Sequence, residues 1–290
     1  MNQGYYFAPH IHSDKLVFSC DDDLWLLEGS SSLAVRLTNA TGRAGHPYFS
    51  PSGTTIAYQA NDSGVSDIYL IDTYGGEPRR LTHVGIDRLL GFKDSKTLLF
   101  VSSHLAANRG MGEIYTLDIE TLSIQAMNTG PANRIAFGKS KQVLIGRNCR
   151  DAARWKRYQG GTAGIFYFDA QGNGQFNQIL KDITYNLTDP HILNEQLFFI
   201  SDHEGVANVY RCNLNGEDLQ RVSNQTEFYA RNLNSDPASL RLVYHAGGDL
   251  YEIDLKSDKE TKRTVEVRSP AMQAQPRFVN ANAKLDSFDV

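Results

Sequence analysis

One six-residue pattern recurs six times along the chain: a polar or small residue, an aliphatic, an aromatic, any residue, an apolar residue, then Asp, Glu or Asn. The copies are DLWLLE from Asp23, DIYLID from Asp67, EIYTLD from Glu113, GIFYFD from Gly164, NVYRCN from Asn208 and DLYEID from Asp249. The alternation has the period of a β-strand, whose successive side chains point to opposite faces. The starts are 44, 46, 51, 44 and 41 residues apart. An apolar strand precedes each copy: LVF from Leu16, IAY from Ile56, LLFV from Leu98, VLI from Val143, LFFI from Leu197 and LVY from Leu242. Further upstream lie turns such as Phe49-Ser-Pro-Ser-Gly53. Downstream a short strand closes with Arg36-Leu-Thr38, Arg80-Leu-Thr82 or Arg221-Val-Ser223. Gly75-Gly76, Gly172-Asn-Gly174 and Asn215-Gly216 supply the positive φ that hairpins require.

Each unit thus has four short strands, and a four-stranded unit cannot bury both its faces alone. Repetition at roughly 40–50 residues predicts an all-β fold, a six-bladed β-propeller with one four-stranded antiparallel blade per unit. Ile68 and Ile114 are expected to pack against one neighbouring blade, and Tyr69 and Tyr115 against the other. A solenoid would need polar capping units, and neither end of the chain resembles one. The first unit starts near Tyr6 and the sixth ends near Val267, each with all four strands. The ring is therefore expected to close by apolar packing, without a strand shared between the termini. The propeller is assigned to residues 1–267, and residues 268–290 to a linker leading into a following domain.

Composition agrees with this reading. Among 290 residues, 14 Tyr, 14 Phe and 24 Gly suit strands and turns, and 41% hydrophobic with 21% charged residues is globular. The net charge of -4 gives no basis for a nucleic-acid partner. There is no run of 18 apolar residues and no secretory pattern after Met1, so no membrane partner is expected and the location is expected to be cytoplasmic. Cys20, Cys149 and Cys212 are widely spaced and read as reduced structural thiols.

Specific segments add a family resemblance. The unit from Pro47 to Thr82 looks like the repeat of TolB-type propellers. The stretch from His12 to Trp25 resembles the opening blade of tricorn proteases. Ile145-Gly-Arg-Asn148 followed by Arg154 to Gly164 resembles their fourth blade. Arg277 to Asn280 and Leu285 to Val290 look like the linker and first strand of the second propeller in that family. The resemblance implies a cytosolic serine peptidase that assembles as a hexamer. Its order would be a six-bladed propeller, a seven-bladed propeller and a catalytic half beyond residue 290.

No catalytic residue is expected in this chain itself. It has no G-x-S-x-G nucleophile elbow and no serine in an activated context. No cofactor or metal is expected either. His10 and His12 share one strand face but lack an evident third ligand. Asp202-His-Glu204 reads as a hairpin turn, and Asp21-Asp-Asp23 lies between strands. The segment Asp169 to Gly174 resembles a calcium loop only faintly, since Leu180 stands where a Glu is required.

Two candidate sites remain. In the tricorn family, basic residues on a loop of the six-bladed propeller hold the substrate's C-terminal carboxylate. The corresponding stretch, His83 to Leu90, carries only Arg88, which reads either as that anchor or as a rim residue paired with Asp87 or Asp94. The long connection from Asn148 to Gly164 carries Arg154, Trp155, Lys156, Arg157 and Tyr158, residue types suited to an interface or channel lining. The leading expectation is a non-catalytic module that guides peptides through its axial opening, to or from an active site elsewhere in the polypeptide. Its partners would be peptides and the remaining domains of the parent peptidase. The alternatives are a free-standing TolB-like interaction propeller and a propeller enzyme with clustered carboxylates or metal ligands in its channel.

Overall fold

The computed structural model describes residues 4–39, 42–108, 111–139, 141–270, 276, 278–285 and 287. The second blade shows how the pattern becomes structure. Asp67–Asp72, the pattern strand, pairs antiparallel and without interruption with Thr55–Ala60. Thr55–Ala60 pairs in turn with Ala44–Phe49, and Asp67–Asp72 with Arg79–Arg80. Five further sheets repeat this order, each built from four strands consecutive in sequence. The first strands of the blades are Phe7–His12, Ala44–Phe49, Arg88–Phe92, Arg134–Phe137, Leu187–Leu193 and Arg231–Asp236. They approach their counterparts in adjacent blades and so surround the axis. Because consecutive strands run antiparallel, the tight turns joining strands one to two share one end of the ring with the turns joining three to four. The second-to-third loops, the long one after Arg147 among them, and the blade-to-blade connections share the other.

Apolar clusters fill all six interfaces between blades. Ile68 packs forward with Leu81, Ile86 and Leu98 of the second–third interface, while Tyr69 packs backward with Leu24 and Leu26 of the first blade. Ile114 and Tyr115 repeat this division one interface further on. The expected two-faced role of the pattern is therefore what the structure has. Burying each such side chain contributes about 1.5–3 kcal/mol. The three cysteines lie inside these clusters as free thiols, and burial pushes each thiol up to about 12.

The polar ends of the pattern have separate work. At its start, the Asp67 carboxylate accepts from the Thr82 hydroxyl at 2.7 Å and from Arg80 at 2.5 Å. Thr82 Oγ1 in turn accepts from the Ile68 backbone N–H. Asp23, Arg36 and Thr38 repeat the arrangement in blade 1, and Asn208 with Ser223 repeats its core in blade 5. This explains the Arg-x-Thr/Ser signature: it pins the outermost strand to the pattern strand. At the pattern's end, Asp72, Asp118, Asp169, Asn213 and Asp254 accept from backbone N–H groups two to five residues on, forming the hairpin turns. Asp169 spends its oxygens on the N–H groups of Gln171, Gly172 and Gly174, which accounts for the faint calcium-loop look.

Among the described residues the ring closes between blades 6 and 1 without a shared strand. Tyr6, Ile11, Phe18, Trp25 and Leu27 pack with Val243, Leu250 and Val267 in one cluster. Past the last strand, Lys259–Lys262, the chain crosses the seam. There Glu266 forms a single parallel bridge to Leu33, through Glu266 N–H to Ser32 O and Ala34 N–H to Glu266 O. The expected following-domain strand over Leu285 to Val290 falls largely outside the described residues.

Candidate functional site

The polar chemistry of the molecule gathers at its axis, and a backbone irregularity puts it there. In blades 1, 2, 5 and 6 the first strand loses register at a residue of positive φ: Ala8 at 48°, His46 at 51°, Asp189 at 49° and Asn232 at 50°. A bulge of this kind re-aims one side chain out of the sheet alternation. Three of these residues precede a proline, namely Pro9, Pro47 and Pro190. That recurrent X-Pro in phase with the repeat is the sequence signal for the axial positions, and sequence reasoning missed it.

Asp189 lies at the centre of the group. Arg134 Nε donates to its Oδ1 at 2.7 Å, and Arg88 Nη2 stands 3.7 Å from the same oxygen. Burial alone would raise this carboxyl, but the charges of Arg134 and Arg88 outweigh it and hold Asp189 at about 2. Arg88 thus pairs with a carboxylate two blades away, and not with Asp87 or Asp94 as the sequence suggested. Asp87 instead accepts from Ser103, and Asp94 from the N–H groups of Lys96 and Thr97. Sequence distance hides such a contact, because the ring brings residues 88 and 189 together.

Above this layer, on the side of the long loops, lies a cup of about 330 Å³. Its lining includes Arg43, Arg88 and Arg231 with one carboxylate, Asp151, and the imidazoles of His46 and His245. Burial, then the charges of Arg88 and Arg134, push His46 down to about 3; burial, then Arg231, does the same to His245. Both rings are neutral at ordinary pH. His245 Nδ1 accepts from the Ala8 N–H, which leaves the ring proton on Nε2. His245 is only 1% exposed, and its Nε2, like Arg88 Nε, is buried with no hydrogen-bond partner among the described residues. Arg231 is held by Asp151 at 2.5 Å, and Arg43 lies over the Phe7 ring at 5.1 Å and 3.5 Å from Asp22. Donors therefore outnumber acceptors at this mouth, an arrangement suited to a carboxylate or another small oxyanion.

The connection from Asn148 to Gly164 starts beside the cup and runs over blade 5. Asp151 reaches Arg231 of blade 6, and Ala152 joins the apolar cluster between blades 5 and 6. The Arg157 N–H donates to Asp202 at 2.6 Å, and Asn186 Nδ2 binds both the Trp155 carbonyl and Asp202. Trp155 itself is 53% exposed, with Tyr158 at 5.2 Å between ring centroids and the Arg154 guanidinium 5.9 Å from it. Lys156 lies over the Tyr229 ring. Of this connection, Asp151 lines the cup, whereas Arg154, Trp155, Lys156, Arg157 and Tyr158 form a ledge outside it.

At the opposite mouth, His10 packs against Tyr48 and Phe49, and His12 against Phe49. Burial lowers His10 to about 3. Among the described residues no three His, Cys, Asp or Glu side chains are grouped to hold a metal ion, and no helix is long and apolar enough to cross a membrane.

The architecture is that of a six-bladed propeller of consecutive strands, with its polar groups concentrated on the axis. A family model described as the tricorn protease N-terminal beta propeller domain matches residues 3–259, and the chain belongs to that family. A tricorn protease homolog of Saccharolobus solfataricus is 31% identical over 284 residues, covering 96% of this chain and 26% of that protein. A putative tricorn-like protease N-terminal subunit of Sulfurisphaera tokodaii is 31% identical over 170 residues, covering 57% of this chain and 86% of that one. The crystal structure of the tricorn protease superposes with a TM-score of 0.83 at 26% identity, over 92% of this chain and 27% of that one. The chain spans about a quarter of the length of the full-length curated relatives that it matches.

Proposed function

We propose that this chain is the non-catalytic propeller module of a tricorn-like cytoplasmic serine peptidase. In this reading it holds and guides peptides for an active site in another part of the polypeptide. The propeller is the unit up to residue 267, and residues 268–290 link it to the next domain. The observation that carries the reading is the cup at the axial mouth, where Arg88 presents an unpaired buried Nε beside the Nε2 donor of His245. A peptide's C-terminal carboxylate is the ligand, and Arg88 is its anchor. The ledge formed by Arg154, Trp155, Lys156, Arg157 and Tyr158 lies at the same end of the ring and is the surface for neighbouring domains of the parent, or of its hexamer. A relative named as a separate N-terminal subunit supports the view that such a module can stand as its own polypeptide.

Peptide binding to the purified chain tests this. Peptides with a free C-terminus should bind more tightly than their amides. Arg88→Gln should weaken the free acid about tenfold, the ~1.4 kcal/mol of one charge-assisted hydrogen bond, and leave the amide unchanged. Equal loss for acid and amide would remove Arg88 as the anchor. No hydrolysis above blank is expected, and robust cleavage by the chain alone would sink the module reading.

A further inference from the structure

The axis carries a second cavity, at the end of the ring where the tight turns lie. It has a volume of about 480 Å³ and shares no lining residue with the arginine cup. Between the two lies the Arg88–Asp189–Arg134 layer. Its walls are the rings of Tyr48, Phe49, Phe92 and Phe137, with Ile135 and Ile192. Burial lowers His191 as it does His10. The His191 ring is fixed by its Nε2 donating to Leu233 O at 2.8 Å and its Nδ1 accepting from Ser235 Oγ at 3.0 Å.

Two charged side chains line this basin, and they differ in what they have left to give. The Asp236 carboxylate is occupied by the Ser13 N–H, the Ala238 N–H and the Ser239 hydroxyl. Lys93 stands on the rim with its Nζ 5.7 Å from the Phe137 ring centroid, and no carboxylate lies within 4 Å of it among the described residues. Its sequence neighbour Asp94 is likewise turned onto the N–H groups of Lys96 and Thr97. The basin therefore combines an aromatic interior, within the size range of small-ligand sites, with one available cation at its lip.

We propose that this basin is a binding site for a small amphipathic anion: a single apolar or aromatic side chain seated among Tyr48, Phe92 and Phe137, with its carboxylate on Lys93. A terminal apolar residue of a short peptide has this chemistry. The site is independent of the arginine cup, with which it shares no lining residue.

The probes are N-acetyl-phenylalanine and its amide, titrated into the full chain and followed by side-chain NMR and calorimetry. The acid should bind with millimolar affinity, several-fold tighter than the amide, and shift the ring signals of Phe92 and Phe137 and the methyls of Ile135 and Ile192. Lys93→Gln, an exposed substitution that leaves folding intact, should reduce affinity for the acid about fivefold and leave the amide unchanged. Arg88→Gln should leave the acid-induced shifts of Phe92 and Phe137 unchanged, whatever it does at the cup. Loss of those shifts in Arg88→Gln with none in Lys93→Gln would tie them to the cup and overturn the proposal. So would equal affinity of acid and amide, or binding that leaves Phe92 and Phe137 unshifted.

Discussion

Asp67 is fully enclosed, and each of its oxygens is committed: Oδ1 accepts from Thr82, Oδ2 from Arg80. A buried carboxylate is tolerated only when its desolvation is offset in this way. Asp67→Ala should cost about 3–5 kcal/mol, because it strands a hydroxyl and a guanidinium that were built around it. Asp67→Asn should cost distinctly less, since Asn208 does the same work against Ser223 in blade 5. Urea unfolding at constant m distinguishes the two, and equal losses would mean that the charge, rather than the hydrogen-bond geometry, is what matters. The same blade explains why the pattern admits Asn at all: Arg221 keeps the Ser223 carbonyl as Arg80 keeps that of Thr82, but its charge stands 3.8 Å from Glu204 instead of on the pattern residue.

Among the elements, the connection from 148 to 164 departs most from the repeat, and one residue outside it holds much of it down. Asp202 binds the Arg157 N–H directly and, through Asn186, the Trp155 carbonyl. Asp202→Ala should loosen the segment locally at a cost of about 1–3 kcal/mol. Trypsin cleavage after Arg154, Lys156 or Arg157 should then accelerate roughly tenfold while the global melting temperature falls only slightly. Unchanged cleavage would show that Asp151–Arg231 and Ala152 anchor the segment without it. The six pattern strands and their facing partners are legible in the sequence because each is local and strictly alternating. This segment was legible only as an irregularity, because its partners, Asn186, Asp202, Tyr229 and Arg231, lie in later blades. The axial cup was the least visible. Arg88 stood out, but Arg134, Asp189 and His245 are brought to it by ring closure, and the bulges that aim His46 and Asp189 are marked only by a proline after each.

For the molecule as a whole, the buried imidazoles set the response to acid. His46 and His245 are lowered to about 3 from an ordinary 6.5. Between those values the unfolded chain binds protons that the folded chain refuses, so stability falls as pH drops from about 6.5 toward 3. The slope is at most about 1.4 kcal/mol per pH unit for each ring. Asp189, held at about 2, adds a loss only as pH falls below about 4, the ordinary carboxylate value. The melting temperature should therefore decline between pH 6.5 and 5, before carboxylates titrate. A flat profile across that interval would contradict the burial of these rings.

The absence of a shared strand also sets the order in which the ring can be made. Each blade is complete as soon as its own four strands have left the ribosome, and it can dock at once on the blade before it. Five of the six interfaces form in this way during synthesis, through contacts close in sequence, the kind that form fastest. Only the seam where Tyr6 and Trp25 meet Val243 and Val267 must wait for the last blade. A nascent chain stalled before that point is an open crescent with an apolar face at each end, and those two faces are the surfaces on which a chaperone, or a second stalled copy, would settle.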